Sequence, residues 1–289
     1  MLTDIIKTFR IKQWIKNVFL FAALMFDGQL FDIDAFSHTL AGFLIFCFLS
    51  SSVYTLNDVF DKEADKQHPV KSKRPIASGK IPLRTAVFIA LLMSSLAIIA
   101  AYFLSLSFFS LCGVYLLINI LYSKWLKHIP ILDVMIIATG FVLRVAAGVS
   151  LIKVVRFSPW LYVVTTLLSL FIGFGKRRAE LVLLSKNANQ HRTVFEGYSV
   201  QFLDQLITIV SSTTVVSYSL YTFSAPNLPE NHSMMLTIPF VLYGILRYLY
   251  LIQIEQSGGA PEELVLKDKP LQLSVFFYGI SVLMIFYFI

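Results

Sequence analysis

The sequence predicts an all-α integral membrane protein, and three observations support this fold class. Of the 289 residues, 57% are hydrophobic and only 14% are charged, with a mean hydropathy of +0.73, which is more apolar than a soluble domain needs to fill its core. The apolar runs approach the roughly 20 residues with which a helix crosses a hydrocarbon layer of about 30 Å. They lack the alternation of polar and apolar residues that is typical of an outer-membrane barrel. We therefore predict spanning helices and no strands.

Hydrophobic runs predict nine spans, and the segments between them justify each span in order. The first run follows a basic N-terminal stretch and ends in "FDGQLFD" without a small-residue cleavage site, so we predict a retained span and not a signal peptide. Only the tight turn "SLSFF" separates spans three and four, and "GKRRAEL" ends span six. The predicted spans are 14–31, 36–56, 82–105, 107–123, 130–151, 158–182, 203–223, 235–254 and 271–289.

Lysine and arginine predict the orientation of these spans. All but four of the 24 lysines and arginines lie at the N-terminus, in the loops that follow spans two, four, six and eight, or in the span ends that adjoin them. Short loops rich in these residues stay in the cytoplasm, so we predict a cytoplasmic N-terminus and, because nine is an odd number, a C-terminus on the outer side. We expect one domain, residues 1–289, in the cell membrane, with a polar cavity that faces the cytoplasm.

Acidic residues cluster directly after the second span. Asn57, Asp58, Asp61 and Asp65 follow it, and offsets of three and seven from Asp58 bring the three carboxylates to one face if the helix continues. Hard oxygen ligands suit Mg²⁺, which takes one or two carboxylates and completes its coordination with waters and substrate phosphates. A solvated helix end at the membrane interface is the alternative that the acids alone leave open.

Basic residues follow these acids in the segment "HPVKSKRPIASGK" at 68–80. Two prolines and a glycine in this segment predict a loop, and such a loop can fold back over the acids with its basic residues His68, Lys71, Lys73, Arg74 and Lys80. Bases in this position would also follow from the cytoplasmic bias of positive charge, or from contact with anionic lipids. Acids and bases together favour a metal-bound diphosphate at the membrane surface.

The acidic stretch resembles a known family signature. "NDVFDKEAD" at 57–65 is similar to the N-D-x-x-D-x-x-x-D motif of the UbiA superfamily of intramembrane prenyltransferases. Five other stretches resemble the polyprenyl-phosphate phosphoribosyltransferase branch of that superfamily. They are "RIKQWIKN" at 10–17, "HPVKSKRPIASG" at 68–79, "YSKWLKHIPILDVMIIATGFVLRVAAG" at 122–148, "GKRRAEL" at 175–181 and "LYGILRYLYL" at 242–251. The resemblance implies a UbiA-like bundle of nine transmembrane helices with a cytoplasmic site.

The resemblance also implies an activity. It implies a Mg²⁺-dependent glycosyltransferase, a phosphoribosyltransferase that moves the 5-phosphoribosyl group of phosphoribosyl pyrophosphate to a polyprenyl phosphate and releases pyrophosphate. Aromatic prenyltransferases of the superfamily usually carry a second aspartate-rich motif in the loop after span four. Here that loop has the single acid Asp133 and the two bases Lys124 and Lys127, which favours one metal-bound diphosphate plus a second phosphate group. The bases would also fit a plain cytoplasmic loop.

Two other functions remain as alternatives. The first is an aromatic prenyltransferase that uses a polyprenyl diphosphate and a quinone or porphyrin precursor. The second is a lipid transporter or flippase, which is expected to carry ionisable residues near the membrane midplane. Most polar groups of this chain lie at one rim, which favours the enzyme. The expected partners are the two substrates and the bilayer, without nucleic acid; a homo-oligomer is left open.

The candidate site residues follow from these patterns and from the resemblance. The catalytic carboxylates are Asp58, Asp61 and Asp65, and the same three residues with Asn57 are the candidate metal ligands. Arg144 lies well inside a span, where a charge is expensive and usually faces a polar cavity or a carboxylate. The candidate substrate-binding residues are Lys16, Asn17, Tyr54, Lys71, Arg74, Tyr122, Lys124, Lys127, Asp133, Arg144, Lys176 and Arg177.

Overall fold

The structure, a computed structural model, describes residues 2–67, 71–154, 158–185, 193–226, 228–256, 264–265 and 267–288. Regular secondary structure within these ranges is helical throughout. The α-helices are α1 (Leu2–Thr8), α2 (Phe21–Phe26), α3 (Ile33–Phe60), α4 (Lys62–Gln67), α5 (Leu83–Leu104), α6 (Leu106–Lys124), α7 (Leu132–Val149), α8 (Trp160–Ser185), α9 (Val200–Ser224), α10 (Ile238–Gln253) and α11 (Lys269–Tyr287). The prediction of an all-α protein is confirmed for this part of the chain.

Within the part of the chain that the structure describes, seven helical segments are long and apolar enough to cross a membrane. They are α3, α5, α6, α7, α9, α11 and the segment Ser233–Gln253, in which a 3₁₀ turn leads into α10. Each coincides with a predicted span, which identifies the chain as a multi-pass membrane protein. The longest, α3, begins at Ile33 because the Asp32 carboxylate caps it, accepting hydrogen bonds from the backbone N–H groups of Asp34 and Ala35 at 2.9 and 3.0 Å.

The first and sixth predicted spans take a different form. In place of one helix over 14–31, the chain forms a 3₁₀ helix at Ile11–Leu20 that continues into α2. Apolar periodicity does not separate a 3₁₀ helix from an α-helix, so the sequence did not reveal this. The sixth span corresponds to α8, which has 26 residues but carries four charged residues towards its C-terminus, Lys176, Arg177, Arg178 and Glu180. It is not among the seven apolar segments.

The chain divides into two compact units. The first comprises Met1–Leu24, Gln29–Ile136 and Gly140–Val154. Its core contains the large buried side chains of Phe46, Phe108 and Tyr115. The 3₁₀ helix packs so closely on α7 that a Cβ atom at Gly148 would overlap the backbone carbonyl of Leu20. Glycine at this position therefore lets the two segments touch through their backbones.

The second unit comprises Met25–Gly28, Ile137–Thr139 and Val155–Ile289. Its apolar core includes Tyr218, Tyr221, Met234, Val282 and Ile285. Two arginines tie its helices together. Arg178 of α8 reaches Asp204 of α9 at 2.6 Å and the carbonyl of Ile252 in α10 at 2.8 Å. Arg247 binds Asp268, the N-cap residue of α11, and hydrogen bonds from this guanidinium lower the pKa of that carboxyl.

Candidate active site

The acids at the end of α3 lie on one continuous helical path. The backbone N–H of Asp61 donates to the carbonyl of Asn57 at 2.9 Å, and the N–H of Asp65 donates to the carbonyl of Asp61 at 2.7 Å. The helical path therefore continues from α3 into α4, which is the condition under which the sequence predicted a shared face for Asp58, Asp61 and Asp65. Arg74 from the following loop donates to Asp58 at 3.0 Å and to Asp65 at 2.6 Å. One guanidinium thus bridges the first and last carboxylates.

The middle carboxylate is bound from the loop after α6. Lys127 forms an ion pair with Asp61, and Asn57 donates to the other oxygen of Asp61 at 3.1 Å. The hydroxyl of Ser123 in α6 donates to the Asn57 side-chain carbonyl at 3.0 Å. Two of the four loops predicted to face the cytoplasm, those after spans two and four, therefore converge on this cluster of acids within the first unit.

A third cation, Arg10, was missed by the sequence analysis. It lies between α1 and the 3₁₀ helix, donates a hydrogen bond to Asp58 and is stacked over the ring of Tyr54 at 5.4 Å. No spacing rule connects it with Asp58, which is 48 residues away. The only available signal was its position in the stretch "RIKQWIKN". We call the set Asn57, Asp58, Asp61, Asp65, Arg10, Arg74 and Lys127 the charged rim.

Burial explains why the charged rim is paired throughout. The side chains of Asp58 and Asp65 are 3% and 2% exposed, whereas those of Arg10 and Arg74 are 24% and 27% exposed. Buried carboxylates need a cationic or hydrogen-bonding partner, because an isolated buried charge is very costly. The acids therefore lie inside, and the arginines that neutralise them are accessible from outside. Three carboxylates match three cations.

The donor set of the charged rim suits a hard divalent cation. Three carboxylates and the Asn57 amide offer oxygen ligands of the kind that Mg²⁺ prefers. Among the described residues, no three side chains of aspartate, glutamate, histidine or cysteine lie close enough together to hold a metal ion as they stand. At the charged rim, Arg74 and Lys127 lie against the carboxylates. A metal bound here would take the place of one or more of these cations.

The other predicted residues of the first unit lie at varied positions. Lys124 ends α6, is exposed and lies over the ring of Trp125 at 4.4 Å. Lys16 on the 3₁₀ helix, Lys71 in the turn before Arg74 and Tyr122 on α6 are half-buried. Asp133, in the first turn of α7, is completely buried.

Arg144 belongs to a second polar group, the Arg144 cluster, which consists of Arg144, Asn17, Tyr115, Ser50 and Cys47. Its guanidinium donates to the Asn17 side-chain carbonyl at 2.9 Å, the Tyr115 hydroxyl at 2.9 Å and the backbone carbonyl of Gly140 at 2.7 Å. Asn17 donates in turn to Ser50 at 3.1 Å. Ser50 precedes Asp58 by eight residues on α3, so this cluster lies about 12 Å before the charged rim along the helix, towards its N-terminus.

The predicted cations of the second unit lie on α8. Arg177 is buried and bonds Glu180 at 2.6 Å, and Lys176 is half-buried. The sequence placed these cations where span six ends, near 182. The helix instead continues to Ser185, so Lys176 and Arg177 lie more than one turn before its C-terminus.

A family model, the UbiA prenyltransferase family, matches residues 18–262 of this chain. Among curated proteins, the decaprenyl-phosphate phosphoribosyltransferase of Corynebacterium glutamicum is 32% identical over 287 residues, which covers 98% of this chain and 86% of the relative. The decaprenyl-phosphate phosphoribosyltransferase of Mycolicibacterium smegmatis is also 32% identical over 287 residues, with 94% and 89% covered.

Solved structures share the same fold. A UbiA homolog from Archaeoglobus fulgidus bound to GPP and Mg²⁺ superimposes with a TM-score of 0.74 at 21% identity, over 97% of this chain and 99% of that chain. A structure of digeranylgeranylglyceryl phosphate synthase gives a TM-score of 0.68 at 17% identity, over 99% and 98% of the two chains. These structures establish the arrangement of the helices.

Proposed function

This chain belongs to the UbiA prenyltransferase family, and from this premise we propose that it transfers the 5-phosphoribosyl group of phosphoribosyl pyrophosphate to a polyprenyl phosphate and releases pyrophosphate. The observation that carries the proposal is the similarity to decaprenyl-phosphate phosphoribosyltransferases along nearly the whole chain. The reaction would take place at the charged rim, where carboxylates and bases meet.

The charged rim would hold the donor through a divalent metal ion. Asp58, Asp61 and Asp65, with Asn57, are the residues that would bind Mg²⁺. The ion would stabilise the negative charge that develops on the leaving pyrophosphate. Arg74 and Lys127 lie against these carboxylates, which supports a role for both cations in binding the diphosphate.

The chemistry requires placement of two phosphorylated substrates more than it requires proton transfer. Cleavage of the C1–O bond builds positive charge on the ribose and negative charge on pyrophosphate. The lipid phosphate is already an anion at neutral pH, so the reaction needs no general base, and a direct in-line attack would invert C1. In the first unit, the bases and polar residues that would hold the phosphates, and so orient the substrates, are Lys16, Tyr54, Lys71, Arg74, Tyr122, Lys124 and Lys127. Lys176 and Arg177 of the second unit stay predictions.

The loop after α6 favours this reaction over aromatic prenyl transfer. In an aromatic prenyltransferase, this loop is expected to add a second set of carboxylates for the metal. Here it places the ammonium group of Lys127 on Asp61, and it also carries the exposed Lys124. Added positive charge suits an acceptor that is itself a phosphate, whereas a neutral aromatic acceptor would gain nothing from it.

A nine-span arrangement fits the helix lengths. The 3₁₀ helix Ile11–Leu20 rises about 2.0 Å per residue and α2 about 1.5 Å, so together they extend about 29 Å, close to the membrane thickness of about 30 Å. If this segment and α8, of 26 residues, cross the membrane together with the seven apolar segments, the total would be nine crossings. The N-terminus and the charged rim would face the cytoplasm, in the membrane that surrounds the cell.

A transfer assay tests the proposal. Purified protein in detergent is incubated with Mg²⁺, phosphoribosyl pyrophosphate labelled in the ribose and polyprenyl phosphates of several chain lengths, and label in the lipid phase is measured. We expect metal-dependent label that Asp58→Asn abolishes and that Glu63→Gln, a change at a 77% exposed acid of α4, leaves intact. Folded protein that transfers no label to any of these lipids would contradict the proposal, and prenyl diphosphates with aromatic acceptors would then be tested.

A further inference from the structure

Arg10 adopts a backbone conformation that does not suit an arginine. Its φ and ψ angles are both 50°, in the left-handed region that glycine enters freely and other residues enter at a cost. The residue joins α1 to the 3₁₀ helix, where glycine or asparagine would form the same turn with less strain. A strained residue that keeps a long charged side chain is most simply explained by what the side chain does.

Neighbouring hydrogen bonds hold this turn against α3. The Ser51 hydroxyl donates to the carbonyl of Phe9 at 2.8 Å and accepts from the Trp14 indole N–H at 2.9 Å. The segments on both sides of Arg10 are therefore anchored to one serine, about two turns before Asp58. The Tyr54 ring, one turn further along α3, supports the guanidinium from below. The hydrogen bonds of Ser51 and the contact with the Tyr54 ring thus orient the Arg10 side chain towards Asp58.

The three cations of the charged rim occupy the ligand atoms that a metal would need. Oδ1 of Asp58 accepts from both Arg10 and Arg74, and Lys127 is bound to Oδ1 of Asp61. A divalent cation that binds these oxygens has to displace the side chains and would leave their charges unpaired at a partly buried site. An anion that binds without a metal would compete with the carboxylates for the same three cations. Each ligand is therefore opposed by the existing pairs.

We propose that Arg10 couples metal binding to diphosphate binding by exchanging Asp58 for a diphosphate oxygen. When both ligands bind together, the carboxylates gain the metal and the displaced cations gain the phosphates, so every charge keeps a partner. Each ligand then raises the affinity for the other by the same factor. This inference rests on the proposed function only in requiring a diphosphate, which phosphoribosyl pyrophosphate and prenyl diphosphates share.

Calorimetric titration of the purified protein tests the coupling with Mg²⁺ and inorganic pyrophosphate as probes. Free metal is set by a metal buffer, and Mg²⁺ affinity is measured with and without pyrophosphate. We expect pyrophosphate to raise the Mg²⁺ affinity of the unmodified protein about tenfold or more. In Arg10→Gly, which fits the left-handed backbone, Mg²⁺ alone should bind at least as tightly, because a competitor is gone, and the enhancement should fall about fivefold or more.

Two further variants control for folding and for charge. Arg10→Gln removes the charge but keeps a long side chain, and it should lose the enhancement in the same way. Lys12→Gln removes the same charge two residues away at an exposed position and should behave as the unmodified protein does. Weaker Mg²⁺ binding in Arg10→Gly and Arg10→Gln, or an unchanged enhancement, would overturn the inference and leave Arg10 as a counter-ion alone.

The inference and the proposed function fail in different ways. Loss of the enhancement in both Arg10 variants, without any phosphoribosyl transfer to lipid by the unmodified protein, would keep the inference and refute the proposed function. Phosphoribosyl transfer together with an unchanged enhancement in the variants would do the opposite. The calorimetric measurement needs no turnover and no lipid acceptor, so it tests the role of Arg10 separately from the proposed reaction.

Discussion

The charged rim and the Arg144 cluster use arginine in opposite ways. At the charged rim, each cation faces a carboxylate and the arginine side chains are about one-quarter exposed. Arg144 is 4% exposed, and its partners among the described residues are neutral oxygens, while the rings of Phe46, Tyr115 and Phe141 lie 5.0 to 5.5 Å from its guanidinium carbon.

This difference in partners indicates a difference in role. Accessible ion pairs can exchange partners with a charged ligand, whereas a guanidinium enclosed by rings and satisfied by neutral acceptors holds its neighbours in place. Asn17 and Tyr115 join the 3₁₀ helix and α6 to α7 through Arg144. The charged rim thus suits chemistry, and the Arg144 cluster suits the support of the segment that carries Arg10.

The largest effect is expected at the charged rim and on activity. Asp61→Asn keeps the shape of the side chain but removes a charge that would help to hold the metal, so we expect turnover to fall about 10²- to 10³-fold. Asp61 and its partner Lys127 are only 12% and 14% exposed, so the loss of charge should lower the melting temperature, but moderately, because the amide oxygen of asparagine can still accept from Lys127. The measurement is transfer rate and thermal melting of the same preparation. A large fall in melting temperature would show that the charged rim also stabilises the fold, and its contrast with the Arg144 cluster would then be wrong.

The next effect is expected at Arg144 and on stability. Arg144→Met keeps the length and apolar stem of the side chain but removes three hydrogen bonds, which leaves Asn17 and Tyr115 with unpaired buried groups. We expect a loss of about 3 kcal/mol in the free energy of unfolding. Thermal melting in detergent measures it. Normal stability with a raised KM for the lipid phosphate would instead show that Arg144 contacts substrate, as the sequence analysis predicted.

A smaller effect is expected from a partner of Arg144. Tyr115→Phe removes one hydroxyl that accepts from the guanidinium and leaves the ring packing intact, so it should cost about 1–2 kcal/mol of stability. In the double variant with Arg144→Met, the two effects should not add, because they remove the same hydrogen bond. Additive losses would mean that the hydroxyl stabilises the fold in some other way, which would weaken the account of the cluster as one unit.

The same comparison shows what the sequence could and could not predict. The spacing of Asp58, Asp61 and Asp65 predicted a shared face, and the prolines and glycine after them predicted the loop that returns Arg74. Both are local patterns, which short-range geometry controls.

Contacts between distant segments were not predictable in this way. Arg10 and Asp58 are 48 residues apart, and Lys127 and Asp61 are 66 apart. Arg144 was recognised as costly in the membrane, but its neutral partners depend on how four segments pack. The 3₁₀ form of Ile11–Leu20 also escaped prediction, because apolar periodicity does not separate a 3₁₀ helix from an α-helix.

The smallest effect concerns backbone strain beside the charged rim. Ile131, four residues after Lys127, has a φ of 68° and closes a γ-turn in which the N–H of Leu132 donates to the carbonyl of Pro130 at 2.8 Å. This conformation is strained for a β-branched residue. Strain of this kind tends to lie where function requires a fixed geometry, and the Arg144 cluster, built on regular helices and the 3₁₀ segment, shows none at its own residues.

Glycine substitutions on either side of Pro130 measure this strain. Ile131→Gly relieves the positive φ, so it should leave the free energy of unfolding unchanged or raise it by up to about 1 kcal/mol. Ile129→Gly is the matched control, since Ile129 is similarly exposed, at 48% against 39%, but has an extended backbone with φ of −100°. It should lose about 1 kcal/mol, because glycine only adds flexibility there. Equal losses of unfolding free energy in both variants would show that the turn at Ile131 stores no strain. Arg10 would then be the remaining evidence that backbone strain lies at the charged rim and not in the Arg144 cluster.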